Sequence, residues 1–270
     1  MIMSKRIIAL VVAAVIVALT FTACSLFSKK EEETTAQVFT MGIDPEYPPF
    51  SYMGDDGEYT GFDVEICKAV CDYLGWEFKT FAVNWDEKLV QLDSNECDCV
   101  WSGMTILDSM KDAGYVISRP YFDNEQVLLV KNDSEFKSSK DLAGKVVAVQ
   151  LGTSGESLLH DELKDLAATF GNVITCDSFL KCFTELSGGA VEAVFVDRPV
   201  AESYIADHPD YRIIDEDLGA EQYGIAFRSG DEELCAKIEE GIDAIVANGT
   251  YAEIAAKYED IDAGNLIFLK

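Results

Sequence analysis

From Val38 onward, short apolar runs alternate with amphipathic segments along the whole chain. Short runs of apolar or alternating residues predict strands, and apolar positions spaced three and four apart predict helices. The predicted strands lie at 38–43, 77–83, 97–102, 126–131, 145–150, 173–176, 193–196, 211–214 and 223–227. The predicted helices lie at 63–74, 86–92, 156–170, 180–186, 199–206, 232–247 and 251–258. This alternation favours an α/β architecture with largely parallel sheets.

The residues that directly follow predicted strands are the first candidates for a binding site. In open α/β sheets, ligands bind in the crevice at the carboxyl ends of the strands. The segments at these ends are rich in acids, aromatics, hydroxyls and glycines. They lie at 44–50, 84–85, 101–105, 152–154 and 197.

The first 23 residues have the composition of an export signal. A basic start and an apolar run at 7–19 lead to Ala23 and Cys24. This order is typical of signal peptides. Cys24 resembles the cysteine of a bacterial lipobox, whose thiol receives a diacylglyceryl group. We expect a lipoprotein signal peptide at 1–23, then a lipidated Cys24 and a flexible tether at 24–37. This predicts a lipid anchor at the extracytoplasmic face of the cell membrane. The alternative is an uncleaved spanning helix, but the run is shorter than the ~20 residues that a bilayer core requires.

Charge narrows the possible partners. The chain carries 21 lysines and arginines against 49 aspartates and glutamates, which gives a net charge of −28. Such a surface repels phosphate backbones, so nucleic acid is not an expected partner. The length after the tether suits one large domain or two lobes, and nothing in the sequence indicates an oligomer, so we expect a monomer.

Seven cysteines follow Cys24, and an odd number in an exported chain indicates at least one free thiol. They are Cys67, Cys71, Cys97, Cys99, Cys176, Cys182 and Cys235. The first two would share a helix face and the next two a strand face, but neither pair has the spacing of a zinc knuckle. We interpret the thiols as small buried residues, leave a disulfide between Cys176 and Cys182 open, and expect no metal and no cofactor.

Seven phrases of the sequence follow one another in the order found in a known family. They are GIDPEYPPFSYMGDDGEYTGFDVEICKAV (42–70), WSGMTI (101–106), SRPYFDNEQVLLVK (118–131), DLAGKVVAVQLGTSGES (141–157), VEAVFVDRPVA (191–201), EQYGIAFR (221–228) and NGTYAEIAAKY (248–258). In these phrases the chain resembles the amino-acid-binding branch of the bacterial extracellular solute-binding proteins that serve ATP-driven importers. One phrase would be weak support, whereas seven in order are highly specific.

The resemblance implies a type II periplasmic-binding-protein-like fold of the α/β class. Two lobes joined by two hinge strands would close on a ligand in the cleft between them. The first lobe would comprise 38–124 plus 223–270, and the second lobe 125–222. The chain would cross between them near 125–127 and 221–223.

The resemblance also implies a site for the α-ammonium of an amino acid. Asp197 matches the carboxylate that holds this group, and the Thr105 hydroxyl and Gly103 carbonyl match the accompanying acceptors. Charge-assisted hydrogen bonds in a closed cleft are strong. The alternative for Asp197 is a cap for the helix predicted at 199–206.

The α-carboxylate would bind at the loop Gly152, Thr153 and Ser154, which matches the carboxylate loop of the family. Backbone N–H groups and the positive end of the following helix make an anion site there. The alternative is an ordinary turn with a helix cap.

The sequence departs from the family at the arginine that clamps the carboxylate, seven residues after the equivalent of Gly103. Counting forward places Met110 there, and counting back from the SRPY phrase places Lys111 there. Neither offers the planar fork of a guanidinium. Lys111 would supply a point charge, or Arg119 would approach instead; otherwise affinity for simple amino acids falls, or the ligand is not a standard α-amino acid.

The ligand side chain would meet a further group of residues. Asp44 and Tyr47 match family positions that touch it, Trp85 matches an aromatic wall, Gln150 matches a position that varies with specificity, and Ser102 borders the region. The alternative for both aromatics is core packing. The acids and aromatics are compatible with a cationic ligand, whereas the glutamine argues for a polar neutral one, and both stay open.

The sequence therefore predicts a lipid-anchored receptor that captures a polar amino acid or a related solute for an ABC permease, without chemistry. The same fold also supports enzymes, but His160 and His208 are expected to be solvated and no catalytic pattern lies near the cleft. A third hypothesis is a receptor for a cationic amine, or a sensory subunit without its own permease.

Overall fold

The computed structural model describes residues 36–270. Its strands are β1 (Val38–Ile43), β2 (Glu46–Tyr47), β3 (Ser51–Met53), β4 (Tyr59–Thr60), β5 (Glu77–Ala82), β6 (Cys99–Val100), β7 (Val116–Ile117), β8 (Phe122–Lys131), β9 (Val146–Gln150), β10 (Asn172–Cys176), β11 (Ala193–Asp197), β12 (Tyr211–Ile214), β13 (Ala220–Tyr223) and β14 (Ala226–Phe227). Its α-helices are α1 (Phe62–Leu74), α2 (Lys88–Asp93), α3 (Asp108–Asp112), α4 (Ser154–His160), α5 (Lys164–Ala167), α6 (Phe179–Gly188), α7 (Arg198–Asp207), α8 (Glu232–Ala247) and α9 (Thr250–Ala255). Short 3₁₀ helices lie at Trp85–Glu87, Ser139–Leu142, Ala263–Asn265 and Ile267–Leu269.

The first sheet has the strand order β5-β1-β6-β14-β7. Strands β5, β1 and β6 run parallel, and β14 and β7 complete the sheet in antiparallel pairs. Helix α1 packs against both α8 and β5. Its apolar residues Phe62, Ile66 and Val70 recur every four positions and are buried, so the helix presents one apolar face to the core.

The second sheet has the strand order β10-β9-β11-β8-β12. Strands β10, β9 and β11 run parallel, whereas β8 and β12 join in antiparallel pairs. The prediction of largely parallel sheets therefore holds for three strands of each of these two sheets and is wrong for their remaining strands. It is also wrong for β2, β3 and β4, which form a small antiparallel sheet.

Strand β8 joins the two halves of the molecule. Its residues from Phe122 to Glu125 pair with β13, and its residues from Gln126 onward pair with β11 and β12. The chain passes from β7 of the first sheet into β8 and returns from β13 to β14. Two neighbouring antiparallel segments thus connect the sheets.

The prediction of one long helix at 156–170 is wrong. The structure has α4 and α5 instead, and Asp161 between them has non-helical dihedrals of φ −111 and ψ −86. The connection must return from the end of β9 to the start of β10 beside it. A five-residue strand spans ~16 Å, whereas a straight 15-residue helix would span ~22 Å and overshoot.

The predicted signal peptide at 1–23, the lipidated Cys24 and nearly all of the tether lie outside the described residues. Gln37, the last residue of the predicted tether, accepts a hydrogen bond at its carbonyl from the Glu77 amide (2.8 Å) and so meets the edge of the first sheet. Between residues 36 and 270, no helix is long and apolar enough to span a bilayer.

The seven cysteines of the described region are all buried and unpaired. Cys67, Cys71 and Cys99 lie in the same apolar cluster, where they pack as small core side chains. Burial raises the pKa of the Cys97 and Cys235 thiols to about 11, so both stay protonated at neutral pH. In the part of the chain that the structure describes, no cluster of His, Cys, Asp or Glu is arranged to hold a metal.

Asp63 is a buried carboxylate that ties helix α1 to the segment after β6. Its Oδ2 accepts hydrogen bonds from the Gly103 amide (2.8 Å) and the Tyr121 hydroxyl (2.6 Å). Burial raises its pKa to about 7, although both hydrogen bonds act in the opposite direction. Below about pH 7 the folded protein therefore keeps a proton on Asp63. The unfolded chain releases this proton near pH 3.9.

We predict that Asp63 makes the fold more stable in mild acid than at neutral pH. Because its pKa is raised in the folded state, its contribution is full below about pH 4 and is lost as the pH rises through about 7. Asp63→Asn lacks this contribution. As the pH increases from 4 to 8, the free energy of unfolding of the variant should therefore rise relative to that of the wild type. Urea unfolding across this range measures the difference.

The matched control is Asp72→Asn, which removes an exposed acid from the same helix. Its difference from the wild type should stay constant over the same range of pH. A pH-independent difference for Asp63→Asn as well would contradict the raised pKa.

Candidate functional site

A small cavity of about 140 Å³ lies where the ends of the two sheets meet. Its size suits a single small solute, since pockets for drug-sized ligands have about 300–1,000 Å³. The predicted site residues that line it are Tyr47, Trp85, Gly103, Thr105, Gly152, Thr153, Ser154 and Asp197. The lining is completed by Lys88, Leu89, Met104, Leu107, Ser109 and Met110.

Parallel strands of both sheets deliver the polar part of this lining. Gly103 and Thr105 follow β6 of the first sheet, Gly152 follows β9, and Asp197 ends β11 of the second sheet. All of these residues lie at or just beyond the carboxyl ends of their strands. The cavity is therefore in the crevice that the strand pattern predicts.

A tyrosine ring packs directly on Gly103. A Cβ at this position would lie 2.4 Å from Tyr47 Cε1, and the backbone has φ +53, so glycine is required on both counts. The Tyr47 hydroxyl lies 2.9 Å from that of Tyr223, and its ring is nearly parallel to the Trp85 ring, with centroids 6.5 Å apart. These contacts fix the two aromatic side chains as one wall of the cavity.

Asp197 is the acid of the cavity, and two amides hold its carboxylate. The side-chain N–H groups of Asn124 and Gln126 donate to its Oδ1 at 2.6 and 2.7 Å. The same two amides donate to Glu221 Oε1 at 2.7 and 3.0 Å. Although Asp197 precedes α7, its side chain accepts no capping hydrogen bond from that helix.

The surroundings of Asp197 disfavour its charged form. Burial raises its pKa well above the usual range, and the neighbouring carboxylate of Glu221 raises it further. The two acids share their amide donors, and within the described residues Asp197 forms no ion pair. A cation placed beside Asp197 would therefore stabilise its ionised form and release a proton.

Lys88 is the basic side chain of the lining. Its ammonium donates to the carbonyls of Trp85 (3.0 Å) and Gly152 (2.7 Å) and lies 4.6 Å from the centroid of the Trp85 ring. Only 9% of the residue is exposed. Burial lowers its pKa to about 8, partly offset by the charges of nearby carboxylates.

The predicted carboxylate loop is partly occupied by its own helix. The Gly152 amide donates to Glu156 Oε2 (2.7 Å), and the Glu156 amide donates to Thr153 Oγ1 (3.2 Å), which caps α4. The ordinary turn-and-cap interpretation therefore accounts for these groups. Ser154 Oγ instead points across the cleft, where it accepts a hydrogen bond from Thr105 Oγ1 (3.0 Å).

Three predicted residues form a buried layer that does not line the cavity. Gln150 Nε2 donates to Asp44 Oδ2 (2.7 Å), and the Asp44 amide donates to Ser102 Oγ (3.1 Å). Burial raises the pKa of Asp44, while the Gln150 hydrogen bond lowers it. These residues link the ends of β1 and β9.

The structure does not bring Lys111 or Arg119 to the cavity. The Lys111 side chain is 53% exposed and pairs with Asp108 (3.3 Å). Arg119 pairs with Asp243, and its guanidinium lies over the Phe268 ring. Met110 does line the cavity, so an apolar side chain stands at the position counted forward from Gly103.

Sequence reasoning missed Lys88, Asn124, Gln126 and Glu221. Asn124 and Gln126 are two apart in a strand and so share a face, which was a usable signal within the phrase SRPYFDNEQVLLVK. Nothing in the sequence distinguished Lys88 from a solvated lysine on an amphipathic helix.

A cleft between two α/β sheets, lined at strand ends by an acid, hydroxyls and aromatics, defines the class of two-lobed solute-binding proteins with the type II fold. The chain belongs to the bacterial extracellular solute-binding proteins, family 3, whose family model matches residues 39–260. The resemblance noted in the sequence is thereby confirmed.

Relatives in this family bind amino acids. The chain is 32% identical over 240 residues to the L-cystine-binding protein TcyJ of Escherichia coli. The matched region covers 88% of this chain and 87% of the relative. It is 30% identical to the arginine-binding extracellular protein ArtP of Bacillus subtilis, over 95% of this chain and 98% of the relative.

A solved structure of a Streptococcus pneumoniae substrate-binding protein of an ABC uptake transporter, with bound histidine, has a TM-score of 0.79 to this chain. It is 26% identical and covers 83% of this chain and 93% of its own length. This likeness confirms the two-lobed fold. Family and relatives are extracytoplasmic solute-binding proteins rather than enzymes, as the sequence predicted.

We predict that Gly152→Ala keeps the two sheets apart. A Cβ at this position would lie 2.7 Å from Asp86 Cα, which is backbone on the opposite side of the cleft and cannot yield as a side chain would. The variant should show a larger radius of gyration than the wild type in small-angle X-ray scattering.

The matched control is Gly144→Ala in the same half of the molecule. Gly144 has φ +73 against +74 at Gly152, so both alanines carry the same backbone strain, but a Cβ at 144 meets nothing within 4 Å. Equal radii of gyration for the two variants would rule out the contact across the cleft.

Proposed function

We propose that the protein captures an amino acid in the cleft and delivers it to the permease of an ABC importer. The observation that carries the proposal is the Asp197 carboxylate, which is buried in the cavity lining and oriented by Asn124 and Gln126. An α-ammonium beside it would form charge-assisted hydrogen bonds. The ligands named for the relatives, cystine, arginine and histidine, all carry this group.

The neighbouring acceptors complete the ammonium site that we propose. Thr105 and Gly103 line the same cavity as Asp197. Thr105 Oγ1 hydrogen-bonds to Ser154 (3.0 Å), so the incoming solute replaces this contact across the cleft. The small volume of about 140 Å³ supports a single amino acid rather than a peptide.

Closure is proposed to occur between a lobe of residues 38–124 plus 223–270 and a lobe of residues 125–222. The pairing of β8 with β13 supports a hinge at this boundary, since these segments connect the two sheets. The contacts of Lys88 with Gly152 and of Thr105 with Ser154 cross this boundary, and we propose that they are the contacts that closure makes.

The membrane anchor is proposed to be a lipid on Cys24, after cleavage of residues 1–23. The apolar run before Ala23 and the polar segment after the cysteine support this assignment. Such a tether would keep the receptor beside its permease at the extracytoplasmic face.

A cationic amine is a second candidate ligand. Asp197 lines the cavity, Glu221 shares its two amide donors, and Asp44 lies in the buried layer bonded to Gln150. Against these three acids, the described lining contains one basic side chain, Lys88. This excess of acid, together with Tyr47 and Trp85, favours a positive ligand without a carboxylate.

We predict that Asp197→Ala weakens ligand binding ~30- to 5,000-fold, which corresponds to the 2–5 kcal/mol usual for one partner of a buried charge pair. The full chain, purified in detergent and refolded to remove carried-over solute, would be titrated calorimetrically with L-cystine, L-arginine and L-histidine. Asp207→Ala, which changes an exposed acid on α7, is the control and should bind like the wild type. Unchanged affinity in a folded Asp197→Ala protein would refute the ammonium site.

We also predict that binding releases a proton at any pH at which Asp197 of the empty site is still protonated. Burial and Glu221 hold the pKa of Asp197 well above its usual range, and an ammonium beside it stabilises the ionised form, so the pKa falls on binding. Affinity should therefore rise as the pH increases towards the pKa of the empty site. Calorimetry in two buffers with different ionisation enthalpies counts the protons; equal heats in both buffers would contradict this coupling.

A further inference from the structure

The ammonium of Lys88 in the cavity lining is buried but forms no ion pair with a carboxylate of the described residues. An ammonium has three N–H donors. Two are accounted for by the carbonyls of Trp85 and Gly152, at 3.0 and 2.7 Å. Within residues 36–270, no carboxylate oxygen lies within 4.0 Å of its nitrogen in an ion pair, and one donor remains for a ligand.

We propose that Lys88 binds the carboxylate of the solute, in the role that the side chain of Met110 cannot fill. The inference rests on the proposed function. It adds a contact for the carboxylate of the solute to the contact that Asp197 makes with the ammonium. Lys88 and Asp197 both line the cavity, so an ammonium and a carboxylate of the protein face the same small space. This is the charge pattern that complements the two ends of a zwitterion.

The other basic candidates are engaged elsewhere. Lys111 is paired with Asp108 at the surface, and Arg119 is paired with Asp243. The Gly152 amide, which the sequence assigned to the carboxylate, is already bonded to Glu156. Among the lining residues from the described range 36–270, Lys88 alone carries a positive charge.

The contact between Lys88 and Gly152 couples carboxylate binding to closure. Lys88 belongs to α2 on the side of the first sheet, and Gly152 follows β9 of the second sheet. A carboxylate held by the remaining donor therefore binds to a group that already bridges the cleft. A lysine makes this contact as a point charge, without the fixed bidentate geometry of arginine.

The protonation of Lys88 depends on several acids around it. Asp86 precedes it in the chain, Asp44 lies at the end of β1, and Glu156 lies on α4; all three raise its pKa, whereas burial lowers it to about 8. Asp197 shares the cavity lining. Between pH 7 and 8.5 the protonated fraction falls about fourfold, so carboxylate binding should weaken by up to the same factor.

The test compares amino acids with amines that lack only the carboxylate. The probes are L-arginine with agmatine, L-histidine with histamine, and L-cystine with cystamine, titrated into the full chain in detergent. Lys88→Met should weaken binding of the amino acid ~10- to 100-fold and leave its amine unchanged within about threefold, as in a double-mutant cycle between the ligand group and the side chain. Lys111→Met is the matched control and should change neither affinity.

A rescue variant separates charge from packing. Lys88→Met combined with Met110→Arg should regain at least tenfold in amino-acid affinity, because a guanidinium then replaces the ammonium in the same cavity. If Lys88→Met does not fold, the test is made on the wild type. The ratio of its affinity for the amino acid to its affinity for the amine should fall about fourfold between pH 7 and 8.5. The ratio cancels the titration of Asp197, which both probes contact.

Equal losses for amino acid and amine in Lys88→Met would overturn the inference and assign Lys88 a structural role. So would unchanged amino-acid binding, or a pH-independent ratio in the wild type. A wild type that binds the amines but none of the amino acids would instead overturn the proposed function itself, and this inference with it.

Discussion

The antiparallel pairing of strand β8 is the constraint on which the site depends. One part of the strand pairs with β13 and the other with β11, so the same backbone belongs to the connection and to the second sheet. Asn124 and Gln126 alternate with their neighbours and therefore face the same side, towards Asp197. A slip of the register by one residue would turn both amides away from the carboxylate and remove these two donors.

Electrostatics then gives the cavity two different ends. Asp197 is kept close to Glu221, which disfavours a full charge on both, while Lys88 is held by backbone carbonyls that are neutral. Each group is satisfied well enough to stay buried, but among the residues that the structure describes neither has a partner of opposite charge in contact. Burying an unpaired charge is unfavourable, so the site gains most from a solute that supplies both missing charges at once.

Much of the fold and part of the site were predictable from the sequence. The apolar periodicity predicted most strands and helices, and the family phrases predicted the two lobes and the cavity residues such as Trp85, Thr105 and Asp197. The beginning of β8 was missed because Phe122 to Glu125 are mostly polar and gain strand structure only by pairing with β13. Lys88 was missed because burial of a lysine depends on carbonyls contributed by a distant loop, which no local pattern records.

At the proposed ammonium site, the hydrogen bond between Thr105 and Ser154 would compete with a bound solute. Where a ligand hydrogen bond would form, the two side chains already satisfy each other at 3.0 Å. An arriving molecule exchanges one hydrogen bond for another and gains only the difference. Departure is eased for the same reason, because the hydroxyls re-form their bond as the solute leaves. For a binding protein that has to release its ligand, such an exchange is more useful than the highest possible affinity.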